Sequence, residues 1–395
     1  MGKDEKYKMA DEKGSFPFEL RDATIEEKKS YFKNYIVEHK FLKEAVDMAI
    51  SFISTQVSER LIFVCGPSGV GKKEFIRLVK KRIVELASPI LAENPGCIPV
   101  VDVEAIAPEK GSFNFANLWR SALISLAEPM IGYKISYREI ESIDSAGNKI
   151  ITSRVQKGDY LEILQNTLMH RNVRAMIINE AHHMLRVTSG KQVNWAIDLL
   201  KSLTNGSQTP IILVGTYELL TFLADLESGI TDQINQRTKI INFPRYHTNK
   251  NSEINIFAKT AKLLLRNMPL MQTSENLVDE DWQYFYQYSL GCIGTLKIWF
   301  MDALSLALEE QAMTLTKEHL EKTKKPGRIL HGMLDSIENG EQKMARLLSD
   351  GDIEARLGFT SSKNKPENDT DIGTSKMKSK INPFEKKPKR NAVGI

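Results

Sequence analysis

Cysteine is scarce: Cys65, Cys97 and Cys292 are the only three in 395 residues, and no two form a C-x-x-C pair. That spacing supports neither a disulfide framework nor a zinc site, and it suits a reducing compartment. No apolar run approaches the roughly 20 residues that a helix needs to cross a bilayer. The opening MGKDEKYKMADEKG is charged, with no apolar h-region behind it. A cytoplasmic protein, neither secreted nor membrane-embedded, is therefore expected. A whole-chain charge excess is missing too. Residues 360–395 hold nine Lys/Arg and four Asp/Glu, a local +5 that leaves the rest of the chain at −1. A uniformly basic nucleic-acid-binding surface is thereby excluded, and any DNA or RNA site on the body has to be a local patch.

What is present is a 42% hydrophobic content over a length that can bury one large core or two smaller ones. Leu61–Cys65 (LIFVC) is a short apolar run that ends at GPSGVGKK, and KEFIRLVKKRIVELA follows with helical periodicity. This reads as strand, phosphate-binding loop, helix. In the motif G-x-x-x-x-G-K-S/T, glycines let backbone N–H groups wrap phosphates, the Lys reaches the β/γ-phosphates, and the hydroxyl holds Mg²⁺. Gly66, Pro67, Ser68, Gly69, Val70, Gly71 and Lys72 fill the loop, but Lys73 stands where the hydroxyl belongs.

Three further strands are expected at IPVVDVEA, RAMIIN and PIILVGT, with a helical stretch before or after each. Alternating strands and helices imply a parallel sheet covered on both faces. FANLWRSALISLAEPM is expected to be a helix closed by Pro129, and KISYREIESIDSAGNKIITSRV reads as a hairpin turning at residues 145–148. Beyond Pro244 only helical patterns remain, up to a Lys-, Ser-, Asn- and Pro-rich end that has too few large apolar residues to order itself.

RAMIINEAHHM supplies the second half of a nucleotide site. An acidic residue at the end of an apolar strand ordinarily helps hold Mg²⁺, and its neighbour polarises the attacking water. The metal position is Asn179 and the water position is Glu180. His182 and His183 have no third ligand spaced to join them, so no protein metal centre is assigned. Thr216, at the tip of PIILVGT, is placed to reach a terminal phosphate or a water. Arg237 precedes an apolar segment, as an arginine offered to a neighbouring subunit would. An ammonium about 4 Å from Mg²⁺ is repelled by roughly 8 kcal/mol at an effective dielectric near 20. Lys73 and a directly held metal are thus expected to exclude one another.

The series GPSGVGKK, IINEAHH, LLKSLTNGSQTPIILVGTYELL, INQRTKIINFP and GCIGTLKIWFMDALSLALEE, followed by LTKEHL, resembles AAA+ transposition regulators of the TnsC/TniB type, roughly from His39 to Thr323. The resemblance implies an α/β AAA+ P-loop NTPase core with a parallel sheet and an inserted β-hairpin, followed by a C-terminal helical lid and a disordered basic tail. The corresponding ranges are an N-terminal segment at 1–35, the nucleotide-binding domain at 36–246 with its hairpin at about 133–157, the lid at 247–325, a helical extension at 326–359 and the tail at 360–395.

The resemblance also implies roles. ATP would bind through Gly66 to Lys73 with Asn179, together with Mg²⁺, which the departures at Lys73 and Asn179 would leave weakly held. Glu180 would be the catalytic carboxylate, Thr216 the first sensor and Arg237 the trans-acting finger, while Lys297 matches the second-sensor region loosely. The implied partners are double-stranded DNA, further copies of the chain in a ring or filament, a transposase, and a target-selector protein that in some members is an RNA-guided complex. Lys110, in the loop after the second strand, is a DNA-contact candidate by that resemblance; Lys149 and Arg154, in the hairpin, are candidates by charge. The departures at Lys73 and Asn179 lead us to expect slow turnover. An actively cycling ATPase of the replication-initiator or helicase-loader type is the alternative reading.

Overall fold

The computed structural model describes residues 16–55, 61–108, 111–143, 149–157, 159–185, 190–221 and 238–348, with 135–157 and 190–194 described by backbone alone. The expected tail at 360–395 lies outside the described residues. Strands β1 (Leu61–Cys65), β2 (Val100–Glu104), β5 (Ala175–Asn179), β6 (Ile211–Gly215) and β7 (Thr238–Asn242) form one sheet in the order β2-β5-β6-β1-β7. Every pairing in it is parallel. A parallel sheet needs both faces covered, which is why β1 and β6 are buried at every position and read as uninterrupted apolar runs.

Side chains alternate across this sheet with period two. Leu61, Phe63, Met176, Ile178, Ile211 and Leu213 face one side, where α4 (Phe115–Ser125), α5 (Tyr160–His170) and α6 (Gly190–Ser207) bury Leu118, Leu164 and Leu200. Ile62, Val64, Ile177, Ile212 and Val214 face the other side, under α2 (Lys40–Ser54) and α3 (Lys72–Glu93), which supply Val46, Phe75 and Val79. The shared register aligns strand ends: Cys65 pairs with Gly215 and with Asn242, and Glu104 pairs with Asn179. The loop after β1 and the polar residues after β5 and β6 therefore leave the sheet on one edge.

The hairpin of β3 (Ile135–Ile143) and β4 (Lys149–Lys157) pairs antiparallel outside this sheet. Two boundaries differ from expectation. α4 stops at Ser125, before Pro129, because Ala127 takes a left-handed φ of 51° and Glu128 N–H closes onto Leu123 O. α3 continues through Pro89 to Glu93.

α7 (Asn251–Arg266), α8 (Asn276–Ser289), α9 (Ile293–Glu309) and α10 (Lys317–Thr323) pack around Phe257, Phe285, Trp299 and Phe300. α1 (Ile25–Asn34) adds Tyr31 and Phe32 to this helical core, so the N-terminal helix packs with the lid. A last helix, α11 (Gly327–Leu347), touches both cores: Leu330 and Ile337 meet Leu290 and Cys292, while Met344 joins the cluster around Tyr217.

Candidate nucleotide site

The loop from Gly66 to Gly71 connects the buried end of β1 to the first turn of α3. Gly66 has to lack a side chain, since a Cβ there would stand 2.3 Å from Phe243 O. Gly69 and Gly71 take φ of +82° and +117°, conformations that turn successive N–H groups inward and that only glycine adopts freely. Lys72 opens α3 and is buried, and its ammonium donates to Gly66 O at 3.1 Å and Pro67 O at 2.9 Å. Burial pulls its pKa down, and the Glu180 carboxylate nearby offsets part of that shift. An ammonium with three donors and two carbonyl acceptors retains capacity for an anion.

Around the loop, two strand-tip groups are buried without a hydrogen-bond partner among the described residues: Asn179 Oδ1 and Thr216 Oγ1. A phosphate of a bound nucleotide would accept from the Thr216 hydroxyl, whereas Asn179 Oδ1, itself an acceptor, would need a donor such as a water molecule. Glu180 follows at the end of β5 with φ of 50°, a left-handed backbone that is strained for a non-glycine residue and found disproportionately at functional sites. Its carboxylate lies 3.5 Å from His182 Nδ1, and burial together with the neighbouring His183 keeps the His182 pKa low. The two histidine rings lie 4.4 Å apart at a tilt of 55°, and His183 Nδ1 lies 2.8 Å from Ala105 O, while His182 Nδ1 is buried without a hydrogen-bond partner among the described residues.

Lys73 and Asn179 are brought together, in a cleft of about 320 Å³ that is also lined by Asp102 and Glu104 of β2 and by Lys80. Lys80 is paired with Asp102. The donor set is a poor one for magnesium, since an ammonium replaces the hydroxyl and a neutral amide replaces the carboxylate. These residues do not fit a metal held directly by the protein.

Residues 55–223 match the family model of the AAA domain. That match spans less than half of the chain and coincides with its P-loop α/β core. No curated protein sequence matches it. Among solved structures it is similar to the ADP form of the ORC2 protein of Aeropyrum pernix, at 14% identity over 75% of this chain and 71% of that one, with a TM-score of 0.49. Drosophila ORC bound to DNA matches at 10% identity over 88% and 72%, with a TM-score of 0.44. The Walker-type ATPase of Pyrococcus abyssi matches at 14% over 82% and 84%, with a TM-score of 0.42. None of these likenesses bears on what this chain binds.

The remaining expected positions divide. Lys297 Nζ donates to Lys33 O at 2.9 Å and to Glu74 Oε1 at 3.2 Å, tying α9 to α1 and to the first turn of α3. Burial lowers its pKa, with Glu74 opposing. A second-sensor role would require that pairing to open. Arg237 and Lys110 lie outside the described residues, and Lys149 and Arg154 sit on β4, where Arg154 pairs by register with Arg138 and Lys149 with Ile143. Sequence reasoning missed the covering of the loop by the start of α9. Thr295 N–H donates to Gly69 O at 2.8 Å, and a Cβ on Gly294 would lie 2.5 Å from the same oxygen. The Gly-x-x-Gly spacing of Gly291 and Gly294 is the sequence signal that marks this close approach.

Proposed function

We propose that this chain is an ATP-dependent transposition regulator of the TnsC/TniB type. It binds ATP, assembles as a ring or filament on duplex DNA, marks a target site and recruits a transposase. The observation that carries the nucleotide part is the glycine loop with its buried Lys72 ammonium, together with the orphaned Thr216 hydroxyl at the tip of β6. Lys72 and the loop N–H groups hold the phosphates, Thr216 touches the terminal one, and Glu180 orients water. ATP supplies the phosphoanhydride whose state the assembly reads. Lys73 provides positive charge where a metal ordinarily sits, so binding depends little on Mg²⁺ and turnover is slow.

The DNA and transposition part rests on the ordered motif series and on the basic residues of the hairpin, whose contacts would run mainly to phosphates. The described residues after the lid form one helix, α11, and an actively cycling ATPase of the replication-initiator or helicase-loader type is the second reading. Electron microscopy of the full chain with duplex DNA, with and without ATP, tests the reading. Ordered rings or filaments that need both ligands are expected. A chain that stays monomeric with both, or that assembles equally well without nucleotide, contradicts it.

A further inference from the structure

The start of the glycine loop and the tip of β6 form one side of a cavity whose other side is closed by α11. A cavity of about 530 Å³ lies between Pro67 and Ser68 of the loop, Thr216 and Glu218 at the tip of β6, and one stripe of α11 that includes Gly332, Gly340 and Lys343. These helix positions recur at helical spacing, so one face of α11 looks into the cavity. The buried Thr216 Oγ1 that lacks a partner belongs to a residue lining this cavity.

The helix is held in place on both sides of Lys343. Glu341 accepts two hydrogen bonds from Arg245, Nε at 2.9 Å and Nη2 at 3.1 Å, and Arg245 is itself buried. Gly340 lies so close to Tyr217 that a Cβ would stand 2.2 Å from Cδ2. Tyr217 Oη in turn donates to Asn242 Oδ1 at 3.2 Å, at the tip of β7. Met344 is buried in the main core. The backbone at Lys343 is thereby fixed at the cavity wall, while its side chain is exposed and forms no ion pair with the described residues. The cavity is lined by one other charged group, the Glu218 carboxylate.

We infer that Lys343 is a ligand of the terminal phosphate, supplied in cis by the C-terminal helix, so that α11 distinguishes a nucleoside triphosphate from a diphosphate. The chemistry is that of a flexible cation on a rigid support. Lys72 and the loop N–H groups would hold the β-phosphate, and a terminal phosphate beyond it would face Thr216 and the charge of Lys343 across the cavity. Such a charge-assisted contact is lost when the last phosphate is absent. The Glu218 carboxylate on the same cavity would repel that phosphate and so weaken the contact. This inference rests on the nucleotide reading given above.

The test is equilibrium binding of ADP and of a non-hydrolysable ATP analogue to the full chain, for the parent and for Lys343→Met, Lys343→Arg and Glu218→Gln. Lys343→Met is expected to weaken analogue binding about tenfold while leaving ADP within about twofold. Lys343→Arg should restore most of the difference, and Glu218→Gln should tighten the analogue. Unchanged analogue affinity in Lys343→Met overturns the inference and leaves the nucleotide reading standing. An equal loss for both nucleotides also overturns it, because it shows that α11 supports the site only structurally. A parent that binds neither nucleotide overturns the nucleotide reading, and this inference with it.

Discussion

Thr295 N–H donates to Gly69 O at 2.8 Å, so the first turn of the lid helix α9 is hydrogen-bonded to the phosphate loop itself. Gly294 makes that approach possible, because its missing Cβ would stand 2.5 Å from the Gly69 carbonyl oxygen and 3.1 Å from Gly71 N. A glycine in a helix ordinarily costs roughly 0.5–1 kcal/mol relative to alanine. Here the sign is reversed. Gly294→Val should destabilise the protein by about 1–3 kcal/mol, since both neighbouring atoms are backbone and cannot swing aside. Denaturant unfolding measures it, and a variant as stable as the parent would mean that the lid does not press on the loop.

Arg245 and Glu341 join the chain before α7 to α11 through a two-pronged contact in which Arg245 is 10% exposed and Glu341 21%. Removing one partner leaves a nearly buried charge alone. Glu341→Ala is expected to cost about 2–3 kcal/mol, below the value for a fully buried pair because Glu341 keeps some water. The double variant with Arg245→Met should recover part of this loss. Unfolding of the four proteins as a double-mutant cycle, together with protease sensitivity of residues 327–347, checks it.

His39 is buried beside Tyr246, with Nδ1 2.9 Å from the hydroxyl, and burial lowers its pKa from 6.5 to about 4. The unfolded chain binds this proton more readily than the folded one, so the contribution is complete above about pH 6.5. It is lost as the pH falls toward 4. The integrated effect is about 3 kcal/mol. Carboxylates titrate in the same window, so the difference between parent and His39→Gln isolates the histidine. The parent should lose more stability than the variant between pH 7 and pH 4, and parallel curves would show that His39 stays accessible to protons.

The parts of this molecule that were legible in its sequence are those governed by local pattern. β1, β5 and β6 announced themselves as short apolar runs because their side chains are covered on both faces. β7 did not: Thr238–Asn242 lies at the sheet edge, only Ile241 is buried, and TKIIN reads as a mixed segment trailing Arg237. The loop and its odd residue were equally plain, and Lys73 and Asn179 do share one cleft. The role of α11 was hidden because it depends on contacts such as Arg245 with Glu341, 96 positions apart, which no periodicity encodes. The packing of α1 into the lid core was hidden for the same reason.

Arg237 is the expected finger offered to the next subunit. Arg237→Ala should leave the monomer folded and nucleotide binding intact, while ATP-dependent assembly weakens and any phosphate release falls, in active systems by about 10³ to 10⁵. Light scattering and phosphate release on the same preparations separate the two effects. A folded Arg237→Ala protein that assembles and turns over like the parent removes the finger assignment.

The central claim is that Lys73 and Asn179 take over the metal position and leave an ATP-binding protein that turns over slowly. Titrating Mg²⁺ against ATP binding and phosphate release, in the parent and in Lys73→Thr with Asn179→Asp, tests it most directly. The parent should bind ATP almost independently of Mg²⁺ and release phosphate slowly. The double variant should gain Mg²⁺-dependent hydrolysis that neither single change confers, because the two positions share one ion site. Brisk release by the parent with an ordinary Mg²⁺ dependence would contradict the account.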